Sequence, residues 1–416
     1  MNHAASPVRL TAVLCAAEVA GMVGFATFAA LLPGFLDEWS LSKTEAGWLS
    51  GIFSAGYVVA VPVLVSLTDR MAARRIYLVS MVLTGIAYLG FALLADGFWT
   101  ALVLRFLSGI GLAGTYMPGM KILGDRLSGR SQSRGIAFYA SHFSIGWAFS
   151  FLLAGEVAVW LDWRWTFGLC ALGPILALAM VSLFVAETDP RDQFAPDGKF
   201  LDFLPVLKCR QAMGYVLAYA VHNFEAFAAR SWIVVFLVFA QSQHAQSPSW
   251  NITLIATVFT LAGMPASVLG NEFAVRAGRR RAVVAIMLTS CAVAAMFGFL
   301  ATIPFGLLVA VAMVYGALIT GDSASITAGA VAAAPPGYRG ATMAVHACIG
   351  FAGSFMGPVV FGAVLDGFGG GETIASWGAA FLTMGLVAAL GPLAVTILSR
   401  SDATCAPSDG SRGRRP

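Results

Sequence analysis

Two short basic stretches interrupt an otherwise apolar chain: DRMAARR at residues 69–75 and RAGRRR at residues 276–281. Each lies between the second and third long apolar segments of its half of the sequence. Arginine-rich connections between apolar helices stay on the cytoplasmic side of a membrane. The repetition therefore predicts a duplicated unit of membrane-spanning helices.

The composition excludes a soluble protein. Of the 416 residues, 58% are hydrophobic and 11% are charged, whereas soluble domains are about 25% charged. A soluble enzyme of several domains, a disordered chain and a fibrous chain are excluded on this ground. A net charge of +4 is too small to indicate a nucleic-acid partner. The sequence has no nucleophile–base arrangement, phosphate-binding loop or metal-ligand spacing, so we expect no enzymatic activity, metal or cofactor.

Twelve segments are long and apolar enough to cross a bilayer, which takes roughly 20 residues in a helix. The first continues past Phe35 without a small-residue cleavage site, so we expect it to remain as an anchor. In chain order these spans 1 to 12 lie near residues 10–36, 46–68, 76–95, 98–120, 135–160, 164–186, 211–240, 251–271, 282–301, 303–331, 341–365 and 374–398.

The distribution of Lys and Arg predicts the orientation. Of the 25 such residues, 21 lie at the termini or in connections on one side, and only Lys43 and Arg164 lie in connections on the other. By the positive-inside rule, both termini are expected in the cytoplasm and the protein in the cytoplasmic (inner) membrane.

The chain divides in the middle. We predict an N-terminal six-helix bundle over residues 1–186, a cytoplasmic linker over 187–210 and a C-terminal six-helix bundle over 211–400. Residues 401–416 are rich in Ser, Gly and Arg and are expected to form a disordered cytoplasmic tail. The fold class is thus an all-α membrane protein of two pseudo-symmetric bundles, expected as a monomer whose environment is the lipid bilayer.

Ionisable residues within the spans fall on every third span. A charge at the centre of a bilayer costs about 3 kcal/mol or more, so such residues face a water-filled cavity or a partner. They are Glu18 in span 1, Arg105 in span 4, Glu225 and Arg230 in span 7 and Asp322 in span 10, with Glu156 near the outer end of span 5. The pattern predicts that spans 1, 4, 7 and 10 line a shared polar interior.

Span 7 carries the densest group of polar residues, which are His222, Asn223, Glu225 and Arg230. His222 and Glu225 can share one helix face, whereas Glu225 and Arg230 are five residues apart and are expected to find partners on other spans. The group is either a binding cluster for substrate or proton or a structural salt-bridge network. Trp232, with Phe224 and Phe227, is a candidate for the wall of a binding site.

Two further carboxylates are candidate proton carriers, and each could instead have a permanent partner. Asp322 lies in the stretch TGDSASIT, whose small and hydroxylated residues could loosen the helix. Glu18 is followed by Gly21 and Gly24. The histidines of spans 5 and 11, His142 and His346, are more typical of hydrogen bonds between helices than of ligands.

The sequence resembles the major facilitator superfamily over nearly its whole length. The family has two six-helix bundles around a cavity lined mainly by helices 1, 4, 7 and 10. Its hallmark Gly-x-Leu-Ala-Asp-Arg-x-Gly-Arg-Lys is similar to VSLTDRMAARR at residues 65–75, where Val65 and Ala72 replace the two glycines. Arg105-x-x-x-Gly109-x-Gly111 resembles a family motif whose arginine is implicated in proton coupling.

The resemblance implies a cytoplasmic gate that holds the bundles together in the outward-open state. The second basic stretch has no aspartate at the place that matches Asp69. The gating residues implied are Asp69, Arg70, Arg74, Arg75, Arg276, Arg279 and Arg280.

A second family pattern bears on the direction of transport. The Gly-x-x-x-Gly-Pro pattern of antiporters is absent from span 5 and occurs as Gly353-x-x-x-Gly357-Pro358 in span 11. Its absence from span 5 modestly disfavours a drug/proton antiporter.

Three functions are compatible with these observations. The first is a secondary active transporter that takes up a small polar or anionic solute by alternating access, driven by the proton gradient. Arg105 and Arg230 would attract the solute, and Glu225, Asp322 or Glu18 would carry the proton. The second is a proton-driven exporter of amphipathic or cationic compounds. The third is an assembly factor that transports nothing.

Overall fold

The computed structural model describes residues 6–68, 70–187, 203–244 and 250–398, with the side chains of Val65, Ser66, Ser133, Ala137, Ala140 and Ser141 excepted. In this part of the chain there are helices and connections and no strand. Twelve helical spans are long and apolar enough to cross a membrane, which confirms the predicted all-α fold.

The N-terminal half, as described, contains six spans. Span 1 comprises Pro7–Gly21, a 3-10 turn at Met22–Gly24, Thr27–Ala30 and Leu32–Glu38. Spans 2 to 5 are Lys43–Leu67, Ala73–Leu94, Phe98–Arg126 and Gly129–Trp160, and span 6 comprises Trp163–Cys170 and Leu172–Phe184.

The C-terminal half repeats this order. A short helix, Leu204–Lys208, precedes span 7, Arg210–Ser242. Span 8 comprises Ile252–Leu261 and Gly263–Ala277, and span 9 comprises Arg279–Phe297 with a 3-10 turn at Gly298–Thr302. Span 10 comprises Phe305–Gly321 and Ser323–Ala332, span 11 is Arg339–Gly367, and span 12 comprises Ile374–Ala388 and Leu390–Leu398.

Two of the broken spans carry the predicted carboxylates. Span 10 is interrupted at Asp322, as its small and hydroxylated neighbours predict. Span 1 tightens into a 3-10 turn at Met22–Gly24, one turn beyond Glu18. Discontinuous helices of this kind place polar groups and free backbone groups near the middle of a membrane protein.

The apolar core shows how the two halves meet. We define the arginine-rich face as the end of the molecule that carries Arg74, Arg126, Arg279 and Arg280, and the opposite face as its other end. Toward the opposite face, one core includes buried side chains of both halves, among them Phe53, Trp232 and Trp377. Toward the arginine-rich face, each half has a core of its own. In the described part of the chain, the halves therefore share a core at the opposite face and have separate cores toward the arginine-rich face.

Hydrogen bonds at the opposite face reinforce this junction. The carboxylate of Asp366, at the end of span 11, accepts bonds from the backbone amides of Lys43 (3.0 Å) and Thr44 (2.7 Å) and from the Thr44 hydroxyl (2.6 Å). A carboxylate is a favourable partner for the positive end of a helix, here the start of span 2. Nearby, Asn251 donates to Glu156 at 3.2 Å, which links spans 8 and 5.

Glycines allow span 2 and span 11 to approach backbone to backbone. A side chain at Gly47 would collide with the carbonyl of Pro358, and one at Gly51 would collide with the carbonyl of Phe355. The Gly-x-x-x-Gly-Pro pattern serves the other side of span 11, where Gly353 and Gly357 lie against the backbone of span 7. Span 11 thus packs closely against both halves.

The predicted domain boundaries are only partly visible. Most of the 187–210 linker and all of the 401–416 tail lie outside the described residues, as does Asp69.

Candidate functional site

Glu225 lies inside the C-terminal half among spans 7, 9 and 10. Its Oε1 atom accepts bonds from the hydroxyls of Ser290 (2.7 Å) and Tyr315 (3.1 Å), and the residue is 3% exposed. Both donors are neutral, and among the described residues no cationic side chain makes an ion pair with this carboxylate. The predicted partners on other spans are confirmed, and the site can hold a carboxylate or a carboxylic acid.

His222 pairs with Asp322 across the break in span 10. The distance from Nδ1 of the imidazole to Oδ1 of the carboxylate is 2.7 Å, and both residues are buried. The pairing joins the unbroken span 7 to the break of span 10. The structure places Asp322 beside a histidine rather than the arginine considered as its permanent partner, and its role as a proton carrier stays a prediction.

A stack of rings continues from His222 toward span 11. Tyr219 lies parallel to His222 with 5.8 Å between ring centroids and parallel to His346 with 3.9 Å. His346 Nε2 lies 3.3 Å from the hydroxyl of Thr327 in span 10, so the expected bond between helices is present. Asn223 is buried next to this stack.

Arg230 is the buried cation of the C-terminal half. One guanidinium nitrogen donates to the Thr320 hydroxyl at 3.3 Å, and the guanidinium lies 4.7 Å from the ring centroid of Trp147, which belongs to span 5 of the other half. The Nε–H has no hydrogen-bond partner, and no carboxylate of the described chain lies within ion-pair distance. Its charge is compensated by a ring face and one long hydrogen bond, which leaves it able to bind an anion.

Glu18 has a more complete set of partners. Its Oε1 accepts a bond from Thr115 at 3.1 Å, and its Oε2 accepts bonds from the hydroxyls of Tyr77 and Tyr139, each at 3.1 Å. The residue is 0% exposed. Glu18 therefore connects spans 1, 3, 4 and 5 within the N-terminal half, away from the contact between halves.

Arg105 is also held within its own half. Its guanidinium donates to the carbonyl oxygens of Leu49 (3.1 Å), Phe25 (3.4 Å) and Ser50 (3.5 Å). It also lies 5.3 Å from each of the ring centroids of Phe28 and Phe53. Spans 1, 2 and 4 converge on this side chain, so its donors are used by the fold.

Two buried polar side chains of the N-terminal half lack partners among the described residues, and one of them, Tyr57, stacks on Phe351 of the other half. In the described part of the chain, both ring nitrogens of His142 and the hydroxyl of Tyr57 have no hydrogen-bond partner. The expected helix–helix bond of His142 is not seen there. Each such buried group costs about 1–3 kcal/mol unless something satisfies it.

Aromatic side chains connect these groups to Arg230. Trp147, which covers Arg230, meets Phe227 edge-on at 4.7 Å and Phe143 at 5.9 Å. On the other side, Phe351 lies 5.9 Å from Phe227 and stacks on Tyr57 at 4.0 Å. The contact between halves is thus an aromatic wall with few polar groups, as in many small-molecule sites.

Trp232 is placed differently from the expectation that it lines a site. Its indole N–H donates to the carbonyl of Pro358 at 3.1 Å, and its ring stacks on Phe361 at 5.7 Å. It is 0% exposed and belongs to the packing near the opposite face.

The arginines that the resemblance assigns to the gate all lie in the described part of the chain. Asp69, the partner implied for them, lies outside it. Arg74 donates to the Ser182 carbonyl at 2.9 Å and, with Arg75, pairs with Glu187. In the C-terminal half, Arg279 and Arg280 at the start of span 9 donate to backbone carbonyls of spans 10 and 12. Arg70 and Arg276 are exposed.

The predicted residues therefore form three groups rather than one. Glu18 and Arg105 lie inside the N-terminal half, and His222, Asn223, Glu225 and Asp322 lie inside the C-terminal half. Of the candidates, Arg230 is the one whose described contacts reach both halves. Sequence reasoning missed Trp147, Tyr57 and the hydroxyls around the two glutamates, because polar aromatics and hydroxyls within apolar segments give no distinct signal.

These features define an integral membrane protein of two six-span halves with a buried charged interior. The chain belongs to the Major Facilitator Superfamily, whose sequence profile matches residues 14–250 and 220–414. The resemblance deduced from the basic stretches and the charge pattern is thereby confirmed.

Similar proteins support the same family and fold. An uncharacterised transporter of this family from Bacillus subtilis (strain 168) is 28% identical over 179 residues, and the chain spans only 43% of its length. The hexuronate transporter of the same organism is 24% identical over 288 residues, which are 66% of this chain and 68% of that protein. The crystal structure of the nucleoside transporter NupG superposes with a TM-score of 0.74 at 14% identity, over 94% of this chain and 99% of that one.

Proposed function

We propose that this protein is a secondary active transporter that takes up a small organic anion by alternating access, driven by the proton gradient. The observation that carries the proposal is Arg230, a buried guanidinium with an unpartnered Nε–H and no carboxylate within ion-pair distance among the described residues. An uncompensated buried cation is costly, and an anionic substrate would supply the missing charge.

The contrast with Arg105 supports this assignment. Arg105 spends its donors on three backbone carbonyls of its own half, whereas Arg230 faces Trp147 across the contact between halves. A substrate held between the halves can bind Arg230 without breaking a bond that holds the fold. The hexuronate transporter among the relatives carries, by its name, a sugar acid, which agrees with an anionic substrate.

The proton would be carried by a carboxylate close to the substrate. Glu225 accepts two bonds on a single oxygen from neutral donors, so the acid and the carboxylate can each be accommodated without moving the helices. His222 lies three residues before Glu225 on span 7 and pairs with Asp322 at the break of span 10, so this pair can respond to a change at Glu225. Proton uptake at Glu225 would then be linked to movement of span 10.

Alternating access is supported by the way in which the halves meet. They share a core and hydrogen bonds toward the opposite face and have separate cores toward the arginine-rich face. If the arginine-rich face lies in the cytoplasm, as the positive-inside rule predicts, this conformation corresponds to the inward-facing one. Breaking the Asp366 contacts at the start of span 2 would lead to the other.

Transport by the purified protein in proteoliposomes tests the proposal. A panel of radiolabelled small organic acids, sugars and amphipathic cations is offered with and without an inwardly directed proton gradient. We expect accumulation of one class of acids that depends on the gradient. Arg230→Gln should weaken its binding by about a hundredfold, because truncating one partner of a buried charge pair costs about 3 kcal/mol. The matched control, Arg164→Gln, removes an exposed arginine near Trp163 and should leave transport unchanged.

The second candidate, export of amphipathic cations, is favoured by the aromatic wall of Trp147, Phe143, Phe227 and Phe351. The positive charge of Arg230 at that wall opposes it. Export would replace our proposal if cells that contain the protein expelled cations in a gradient-driven manner. In that case Arg230→Gln should enhance the export rather than abolish it.

A further inference from the structure

An open cavity lies at the arginine-rich face, on the outside of the C-terminal half. It has a volume of about 620 Å³ and lies between the start of span 9 and the end of span 12. Three consecutive arginines, Arg279, Arg280 and Arg281, contribute to its lining together with Gly278 and Thr396. No acidic residue is among the described residues that line it.

Among the described residues, little compensates the positive charge of this cavity. Arg279 donates to the Ala328 carbonyl at 3.5 Å, and Arg280 donates to the Thr396 carbonyl at 3.4 Å, both long bonds to neutral acceptors. The Nε–H of Arg279 is buried and has no partner in the described chain. Span 9 also begins here, without a side-chain cap at Gly278, so free amides and the positive helix end add to the three guanidiniums.

The corresponding place in the N-terminal half shows what such a site requires. There, Arg74 donates to the Ser182 carbonyl at the end of span 6, just as Arg280 donates to Thr396 at the end of span 12. In the N-terminal half, however, the carboxylate of Glu187 pairs with Arg74 and Arg75. The C-terminal cavity has the same arginine-to-carbonyl contact, and in the described part of the chain no carboxylate takes the place of Glu187. An anion would complete the site.

The position of the cavity identifies the source of the anion. Leu288 lies in span 9 one turn beyond Val284, a residue that lines the cavity, and its side chain is 50% exposed. One turn back from Thr396 in span 12, Leu393 is 53% exposed. A phosphate at the arginines would thus continue into two lipid-facing apolar surfaces, as a phospholipid headgroup continues into its acyl chains.

We propose that Arg279, Arg280 and Arg281 bind the phosphate headgroup of an anionic phospholipid, whose acyl chains lie along spans 9 and 12. The three guanidiniums supply charge-assisted hydrogen bonds in a geometry that suits phosphate oxygens. The lipid would hold the ends of spans 9, 10 and 12 together, as Glu187 does for the N-terminal half. This site is independent of the proposed transport activity and can be tested without a substrate.

Lipid binding to the purified full-length chain tests the proposal. The protein is placed in phosphatidylcholine nanodiscs that contain a small fraction of phosphatidylglycerol, and bound lipids are counted by native mass spectrometry. We expect retention of phosphatidylglycerol over phosphatidylcholine. The Arg279→Gln/Arg280→Gln/Arg281→Gln variant should lose about a hundredfold in preference, because each arginine near an anionic lipid contributes about a factor of five.

Two matched variants keep the result interpretable. Arg74→Gln/Arg75→Gln removes arginines at the corresponding place, where Glu187 already provides the anion, and should change the preference less than about threefold. Arg281→Glu alone alters an exposed side chain, so it should fold even if the triple variant does not, and it should lower the preference by about tenfold or more. An equal loss in the N-terminal double variant, or no loss in Arg281→Glu, overturns the proposal.

Free phosphate is the alternative source of the same chemistry. Inorganic phosphate is therefore titrated into nanodiscs of phosphatidylcholine alone, with thermal stability as the measurement. A stabilisation by phosphate that is lost in Arg281→Glu, together with no preference for phosphatidylglycerol, would mean a soluble anion site and would overturn the lipid assignment. Stabilisation by phosphatidylglycerol that phosphate does not reproduce supports it.

Discussion

The two halves of the molecule each bury an arginine and a glutamate, but they compensate them differently. In the N-terminal half, Arg105 is bonded to three carbonyls and both oxygens of Glu18 are bonded to hydroxyls, all within that half. In the C-terminal half, Arg230 reaches across to Trp147 with its Nε–H unpartnered, and Glu225 is bonded through one oxygen. The same residue types therefore stabilise one half and leave reactive capacity in the other.

The largest expected difference concerns the two arginines. Arg105→Gln should lower the free energy of unfolding by about 3 kcal/mol, since three hydrogen bonds of about 1 kcal/mol each are lost. Arg230→Gln should leave it unchanged or raise it slightly, because it removes a poorly compensated buried charge. Thermal unfolding in detergent, with no substrate present, measures both. Equal losses in the two variants would mean that the two arginines have the same structural role.

The two glutamates give the next comparison. In Glu18→Gln, an amide nitrogen replaces one of the two bonded oxygens, and this nitrogen cannot accept a hydrogen bond from a hydroxyl. We therefore expect the free energy of unfolding to fall by about 2 kcal/mol. In Glu225→Gln, the remaining oxygen can still accept from Ser290 and Tyr315, so the loss should stay below about 1 kcal/mol.

Transport assays should rank Glu18→Gln and Glu225→Gln in the opposite order, with the larger defect in Glu225→Gln. Accumulation driven by a proton gradient should fall by about tenfold or more in Glu225→Gln, while exchange of labelled for unlabelled substrate persists, because a general proton-transfer group contributes at least a factor of this size. Gradient-driven accumulation that survives in Glu225→Gln would transfer the carrier role to Glu18 or Asp322.

Asp366 tests whether the halves move as units. Asp366→Ala removes three bonds at the start of span 2, and a helix cap of this kind contributes about 1–2 kcal/mol. The equilibrium should shift about tenfold toward opening at the opposite face, measured by the reactivity of a cysteine introduced at Ser50 after the six native cysteines are replaced by serine or alanine. The matched control, Glu156→Ala, removes the single 3.2 Å bond from Asn251 and should shift it less than about threefold. Equal shifts would argue against a specific role for the Asp366 cap.

The smallest predicted effect is that of Ser290→Ala. It removes one of the two donors to Glu225, and a hydrogen bond between membrane helices contributes about 0.6 kcal/mol on average. Thermal unfolding should detect this small loss, with Thr289→Ala as control because Thr289 bonds only the carbonyl of its own helix at Ala285. A loss as large as that of Glu18→Gln would mean that Glu225 is held as tightly as its counterpart.

The fold could be predicted closely because its signals are local. Apolar length locates each span, and the basic stretches at 69–75 and 276–281 indicate the duplication. The break at Asp322 follows from the small and hydroxylated residues around it. These features depend on neighbouring residues in the chain and on the bilayer, so they survive in a single sequence.

The candidate site could be predicted only in part, because partners belong to other spans. The sequence shows that Glu225 needs a partner but not that Ser290 and Tyr315 supply it. It also gives Glu18 and Asp322 the same two alternatives and does not reveal that hydroxyls surround Glu18 while a histidine contacts Asp322. Which helix faces meet depends on the packing of the whole protein, and the hydrophobic periodicity of a single span does not predict it.

The glycine contact between spans 2 and 11 has a consequence for the speed of the protein rather than for its conformations. At Gly47 and Gly51 the two halves approach most closely through backbone carbonyls of span 11, so fewer side chains must change rotamer there when the helices slide. Interdigitated side chains would have to separate and repack at every cycle, which raises an activation enthalpy. A backbone contact instead predicts that the rate at which spans 2 and 11 slide past each other depends weakly on temperature. Gly51→Ala should make this rate depend more strongly on temperature.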